Sequence, residues 1–170
     1  MADLNLDFDV TKNPAVLDTI AALDADTLIA RGAEARARMD AIVVAEAATA
    51  FPVAIPIAPE GAVFRCLAVV SAHPDYRSTL GNVLAARSGE AAGMVAAGVV
   101  AYVEAGMGDA AATSYKVSVR GVGDVDTTAV TRHYGGGGHK LASSCIVARS
   151  TFDGWREASG GSGGSHVGSA

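Results

Sequence analysis

Three short segments of this chain carry residues suited to holding an anion. Gly135-Gly136-Gly137-Gly138-His139-Lys140 is a backbone stretch without Cβ atoms, able to take positive φ and to turn successive N–H groups toward one point, with His139 and Lys140 as side-chain donors at its rim. His73-Pro74-Asp75-Tyr76-Arg77-Ser78-Thr79 reads as a loop running into a helix start. Free N–H groups and the helix dipole attract negative charge there, and Arg77 and Ser78 lie at that point. Lys116, Ser118 and Arg120 form the polar side of an alternating segment, and the planar fork of arginine can give a phosphate two parallel hydrogen bonds. The chemistry implied is recognition of a phosphate-like group. Each segment also has a plain structural alternative: Arg77 as a surface charge, Ser118 and Arg120 as the wet face of an edge strand, His139 as a hydrogen-bonded structural residue. Four glycines exceed what a simple turn needs, which favours convergence of the three segments on one anion.

The surrounding pattern says which elements must position these residues. Leu4, Leu6, Phe8 and Val10 alternate with Asp3, Asn5, Asp7 and Asp9 over 3–10, an extended arm whose aspartates read as a solvated face. Asn13-Pro14 begins a helix through residue 23, and Asp24 caps a second helix to residue 48, with Leu28, Ala35, Met39, Ile42 and Val43 at helical spacing. From Phe51 the period becomes extended. Segments 52–57 and 63–72 form a hairpin about Pro59-Glu60-Gly61, 78–87 is a helix, 94–103 is an apolar strand, and 113–120 is a strand with Tyr115, Val117 and Val119 inward. Asp124 or Asp126 caps a short helix over 127–134, the glycine run follows, and 142–149 is the last strand. The expected fold is α/β: a mixed sheet of about five strands with flanking helices, preceded by two N-terminal connector helices. The expected organisation is an arm and connector helices over 1–50, an α/β domain over 51–157, and a flexible Gly/Ser tail over 158–170 in which His166 has no functional role.

Composition narrows the ligand. The 170 residues are half hydrophobic, only 5% aromatic, and carry a formal charge of −5. A protein that tracks long nucleic acid needs a large basic surface, so a nucleic-acid ligand of this chain should be short. Cys66 and Cys145 lie in apolar runs and read as buried thiols, consistent with a reducing cytoplasm. No stretch has the pattern of a signal peptide or the ~18 uninterrupted apolar residues of a membrane span. The order helix, glycines, strand also rules out a nucleotide phosphate loop, which needs strand, glycines, helix.

Gly135-Gly136-Gly137-Gly138-His139-Lys140-Leu141-Ala142, preceded by Asp124-Val125-Asp126 and a short helix, resembles the signature of the DHH-associated C-terminal domain of DHH-family phosphoesterases. Lys116-Val117-Ser118-Val119-Arg120 and Arg77-Ser78-Thr79-Leu80-Gly81-Asn82 extend the resemblance over roughly 51–149, and the helices before Phe51 look like that family's connector. The chain carries Ser144 where the family pattern usually has a glycine, and it contains no Asp-His-His triplet. The resemblance implies a substrate-binding lobe in which Arg77, Ser78, Ser118, Arg120, Gly136, Gly137, Gly138 and His139 contact phosphate or base of a short oligonucleotide, mononucleotide or cyclic dinucleotide. It further implies that hydrolysis is carried out by a separate DHH lobe, in cis or in trans, using divalent metal, usually manganese. No metal ligand or catalytic residue is expected in this chain itself. The alternative reading is a structural or dimerisation domain, such as a homodimer, that keeps the fold without binding nucleotide.

Overall fold

The computed structural model describes residues 24–157 together with Asp18, Ala21 and Ala22. The expected strand over 3–10, most of the helix over 15–23 and the tail from 158 lie outside the described residues. The chain divides into two units, Met1–Ala41 and Ile42–Ala170. Helix α1 (Ala25–Ala48) starts as its capping residue dictates: the Asp24 carboxylate accepts from Thr27 N–H at 3.0 Å and Thr27 Oγ1 at 2.6 Å, which holds its pKa below the usual aspartate value. In the first unit this helix is exposed at every position but the half-buried Met39 and carries the i,i+4 pairs Arg36–Asp40 and Glu34–Arg38. The apolar stripe read from the sequence is therefore only partly used. Leu28 and Ala35 face solvent, whereas Val43 and Ala47, in the second unit, are buried.

The second unit is an α/β domain on a mixed six-stranded sheet of order β1-β2-β3-β4-β6-β5. Its strands are β1 (Phe51–Ile57), β2 (Ala62–Val70), β3 (Ala97–Tyr102), β4 (Ser114–Gly121), β5 (Gly137–His139) and β6 (Ala142–Ala148). Only β2 and β3 pair in parallel; the helix α2 (Arg77–Glu90) joins them, as a parallel pair requires a crossover. All other neighbours are antiparallel. The sixth strand, beyond the expected five, is β5, made of the second half of the glycine run and His139.

Alternation sorts the side chains onto two faces. Ile55, Cys66, Val99, Val117, Val119, Cys145 and Val147 build a core on one face, closed by Val130 of α3 (Thr128–His133) and Phe152 of α4 (Arg149–Asp153). The opposite face receives α2, whose Leu80, Leu84 and Ala85 are fully buried. Strand β3, covered on both faces, is buried at all positions and reads as a continuous apolar run. Desolvation pushes the Cys66 thiol up to about 12 and the Cys145 thiol up to about 11.

The exposed edge of β1 is closed by the end of the described chain. Ala54 N–H donates to the Trp155 carbonyl at 2.8 Å and Glu157 N–H to the Pro52 carbonyl at 3.1 Å. Pro52 and Pro56 have no N–H to offer on that edge. Trp155 Nε1 donates to Tyr134 Oη at 3.1 Å, and Tyr134 Oη donates onward to the Pro56 carbonyl at 3.2 Å.

Candidate phosphate-binding cleft

The face that carries α2 is left bare beyond that helix, and β4 runs under its first turn. Because residues of β4 alternate, burying Val117 and Val119 in the core sends Lys116, Ser118 and Arg120 to this side. Register extends the same face across the sheet: Val100, Ser118, Ser144 and Gly137 form one row, and Gly98, Arg120, Ala142 and His139 the next. The helix lies close on the sheet because a Cβ on Gly98 would stand 2.3 Å from the Gly81 carbonyl oxygen. Gly81 in turn gives room to the Arg120 stem, since a Cβ there would meet Arg120 Cγ at 2.7 Å.

The result is an open cleft of about 190 Å³ bordered by all three sequence segments: Arg77 from α2, Lys116, Ser118 and Arg120 from β4, and Gly137 and Gly138 from β5. Arg120 Nη2 donates to Ser78 Oγ at 2.8 Å, which ties β4 to the first turn of α2. Arg77 Nη1 donates to the Pro74 carbonyl at 2.8 Å, and its guanidinium lies 5.7 Å from the centre of the Tyr102 ring. Tyr102 Oη is 3.4 Å from Ser118 Oγ on the cleft floor. Among the described residues neither Arg77 nor Arg120 has a carboxylate within ion-pair distance. The first turn of α2 has no acidic residue and no side-chain cap. The cleft thus gathers two guanidinium groups without a carboxylate partner and several hydroxyl groups, an arrangement that attracts an anion and repels a metal cation. No group of three His, Cys, Asp or Glu side chains suited to a metal exists among the described residues.

The glycine run divides into distinct parts. Gly135, at φ +74°, ends α3 in a Schellman arrangement: its N–H donates to the Arg132 carbonyl at 3.1 Å and that of Gly136 to the Thr131 carbonyl at 2.7 Å. Gly136 passes so close to β6 that a Cβ would stand 2.2 Å from the Ser144 carbonyl oxygen. Gly138 likewise crowds Ser143. Gly135 and Gly137 both face open space, but Gly135 is held at positive φ, and of the two only Gly137 borders the cleft. Three of the four glycines are therefore demanded by the fold, and the inference from their number alone does not hold.

The remaining expected residues lie at different distances from the cleft. Ser78 reaches it through Arg120, Gly136 is in the strand packing, and His139 is exposed at the end of the Arg120–Ala142 row without bordering the cleft. Lys140 turns away to Asp124, 3.4 Å from its carboxylate. Asp126 is the cap of α3, accepting from Thr128 N–H and Oγ1, which lower its pKa.

Other contributors carry no sequence signal: Tyr102, Ala142, Ser143 and Ser144 border the cleft, although Tyr102 ends an apolar run and Ser144 stands where the resemblance expects glycine. Glu46 of α1 staples the loop before α2: its carboxylate accepts from Ser71 Oγ at 2.6 Å and Ala72 N–H at 2.9 Å and lies 2.8 Å from His73 Nδ1. Burial alone would raise its pKa, but the hydrogen bonds from Ser71, His73 and Ala72 outweigh this and leave it lowered. No local signature announces a glutamate that bonds across 25 residues.

No protein-family model matches the chain, and no curated protein matches its sequence. No helix among the described residues is long and apolar enough to cross a membrane.

Proposed function

We propose that the cleft binds a phosphate group of a short oligonucleotide, mononucleotide or cyclic dinucleotide, and that the chain is the substrate-recognition domain of a DHH-type phosphoesterase. The observation that carries this reading is the meeting of Arg77, Arg120 and Ser118 around one open polar cleft, drawn from segments far apart in sequence. A cleft of about 190 Å³ is smaller than the roughly 300 Å³ of a pocket that encloses a drug-sized ligand, and it suits a phosphate with most of the nucleotide outside. The part left outside is free to meet a second lobe. In this reading hydrolysis belongs to a metal-binding lobe elsewhere, in cis or in trans. In that arrangement Arg120 and Arg77 hold and offset the phosphate charge while the other lobe acts on the ester.

Titration of the purified chain with short oligoribonucleotides and mononucleotides tests the reading. Binding is expected, and Arg77→Ala or Arg120→Ala should weaken it about tenfold or more, as for a lost charge-assisted hydrogen bond. Equal binding by the variants and the parent chain would overturn it. A dimer whose mass in light scattering ignores nucleotide, with no binding at all, would favour the assembly reading instead.

A further inference from the structure

Three cationic side chains border the cleft, and they are not equivalent. Lys116 Nζ lies 2.7 Å and 2.6 Å from the two carboxylate oxygens of Glu104, whereas Arg77 and Arg120 have no such partner among the described residues. Lys116 stands opposite Tyr102 in the β3–β4 register, so its ammonium group reaches past the end of β3 to the loop that follows. Glu104 is fixed in that loop: its N–H donates to Met107 Sδ at 3.3 Å and its carbonyl accepts from Met107 N–H at 3.2 Å. The pair is only half withdrawn from water, with side-chain exposures of 28% for Lys116 and 40% for Glu104, so it can be broken without dismantling a core.

We infer that Glu104 is a specificity-determining residue, which occupies Lys116 and so limits the cleft to ligands presenting a single phosphate group there. The inference rests on the reading of the cleft as a phosphate site. A second phosphate beside the first would need a third free cation, and it would meet instead an ammonium already matched and a carboxylate that repels it. Replacing Glu104 by a neutral residue releases Lys116, whose flexible stem and rotatable donors can turn to the ligand.

Calorimetric titration of the full chain with adenosine 5′-monophosphate and adenosine 5′-diphosphate tests this, using the parent chain, Glu104→Gln and Glu104→Gln with Lys116→Met. Circular dichroism verifies that the three share one fold. The parent chain should bind the monophosphate at least as tightly as the diphosphate. Glu104→Gln should raise diphosphate affinity about tenfold, and monophosphate affinity about threefold or less, the effect of one added charge-assisted contact. Adding Lys116→Met should erase that gain. An unchanged diphosphate-to-monophosphate ratio in Glu104→Gln, with Arg120-dependent monophosphate binding intact, would overturn this inference alone; so would a gain that survives Lys116→Met. Failure of the parent chain and Glu104→Gln to bind either nucleotide would remove the phosphate reading itself, and this inference with it.

Discussion

Arg120 and Ser78 are 42 residues apart in sequence, yet the guanidinium of one donates to the hydroxyl of the other at 2.8 Å. The bond fixes the arginine fork at the first turn of α2, where it faces the cleft. Ser78→Ala should leave Arg120 charged but less well oriented, weakening nucleotide binding about threefold, whereas Arg120→Ala should weaken it more than tenfold. The double variant should show a coupling of about 0.5–1.5 kcal/mol in a calorimetric cycle. Full additivity would mean that the contact does not orient the arginine.

The glycine run gives a sharper contrast. Gly136→Ala places a methyl group against the Ser144 carbonyl and should destabilise the fold by about 2 kcal/mol or more, as overpacking does. Gly137→Ala meets no atom within 4 Å and should change stability by less than about 0.5 kcal/mol. Urea denaturation separates the two. If a phosphate closely approaches the Gly137 backbone, the same alanine should weaken nucleotide binding while leaving the denaturation midpoint in place.

Glu46 makes an acid-sensitive staple. Its folded-state pKa is depressed, so its contribution to stability is complete above the ordinary glutamate value of about 4.3 and is lost as pH falls through the lower folded value. Glu46→Gln should therefore flatten the acid limb of a stability-against-pH curve measured by denaturant titration. Glu46→Ala leaves Ser71 Oγ and Ala72 N–H without their acceptor and should lose about 1–3 kcal/mol at neutral pH. An acid limb of unchanged slope in Glu46→Gln would show that other carboxylates set it.

Both thiols should be inert in the folded chain, since burial holds Cys66 near 12 and Cys145 near 11. Mass spectrometry after iodoacetamide treatment at pH 8 should find neither alkylated in buffer and both alkylated in denaturant. Rapid native labelling would mean that the core face of the sheet opens.

The sheet was largely legible because its strands carry a clear period or a continuous apolar run. Tyr115, Val117 and Val119 against Lys116, Ser118 and Arg120 define both β4 and the side of the cleft. Strand β5 was not legible, because glycines at 137 and 138 have no side chains to alternate. The number of glycines suggested a ligand, but α3 ends on one and β6 crowds two others, so most of that signal belongs to the chain's own packing. Glu46 and Glu104 were invisible for another reason. Each acts on a partner chosen by tertiary placement, and a lone glutamate on a helix or in a loop has the same sequence signature whether or not such a partner exists.

The closure of β1 by Trp155 and Glu157 bears on how this domain can be trimmed. That segment supplies the outer ladder of β1 and, through Trp155 and Tyr134, ties the end of α3 to the Pro56 carbonyl. A version ending before Trp155 would lose an edge strand's protection and a helix anchor together, and would uncover the outer edge of β1. The domain therefore needs the chain at least as far as Glu157, well beyond the last residue that lines the cleft.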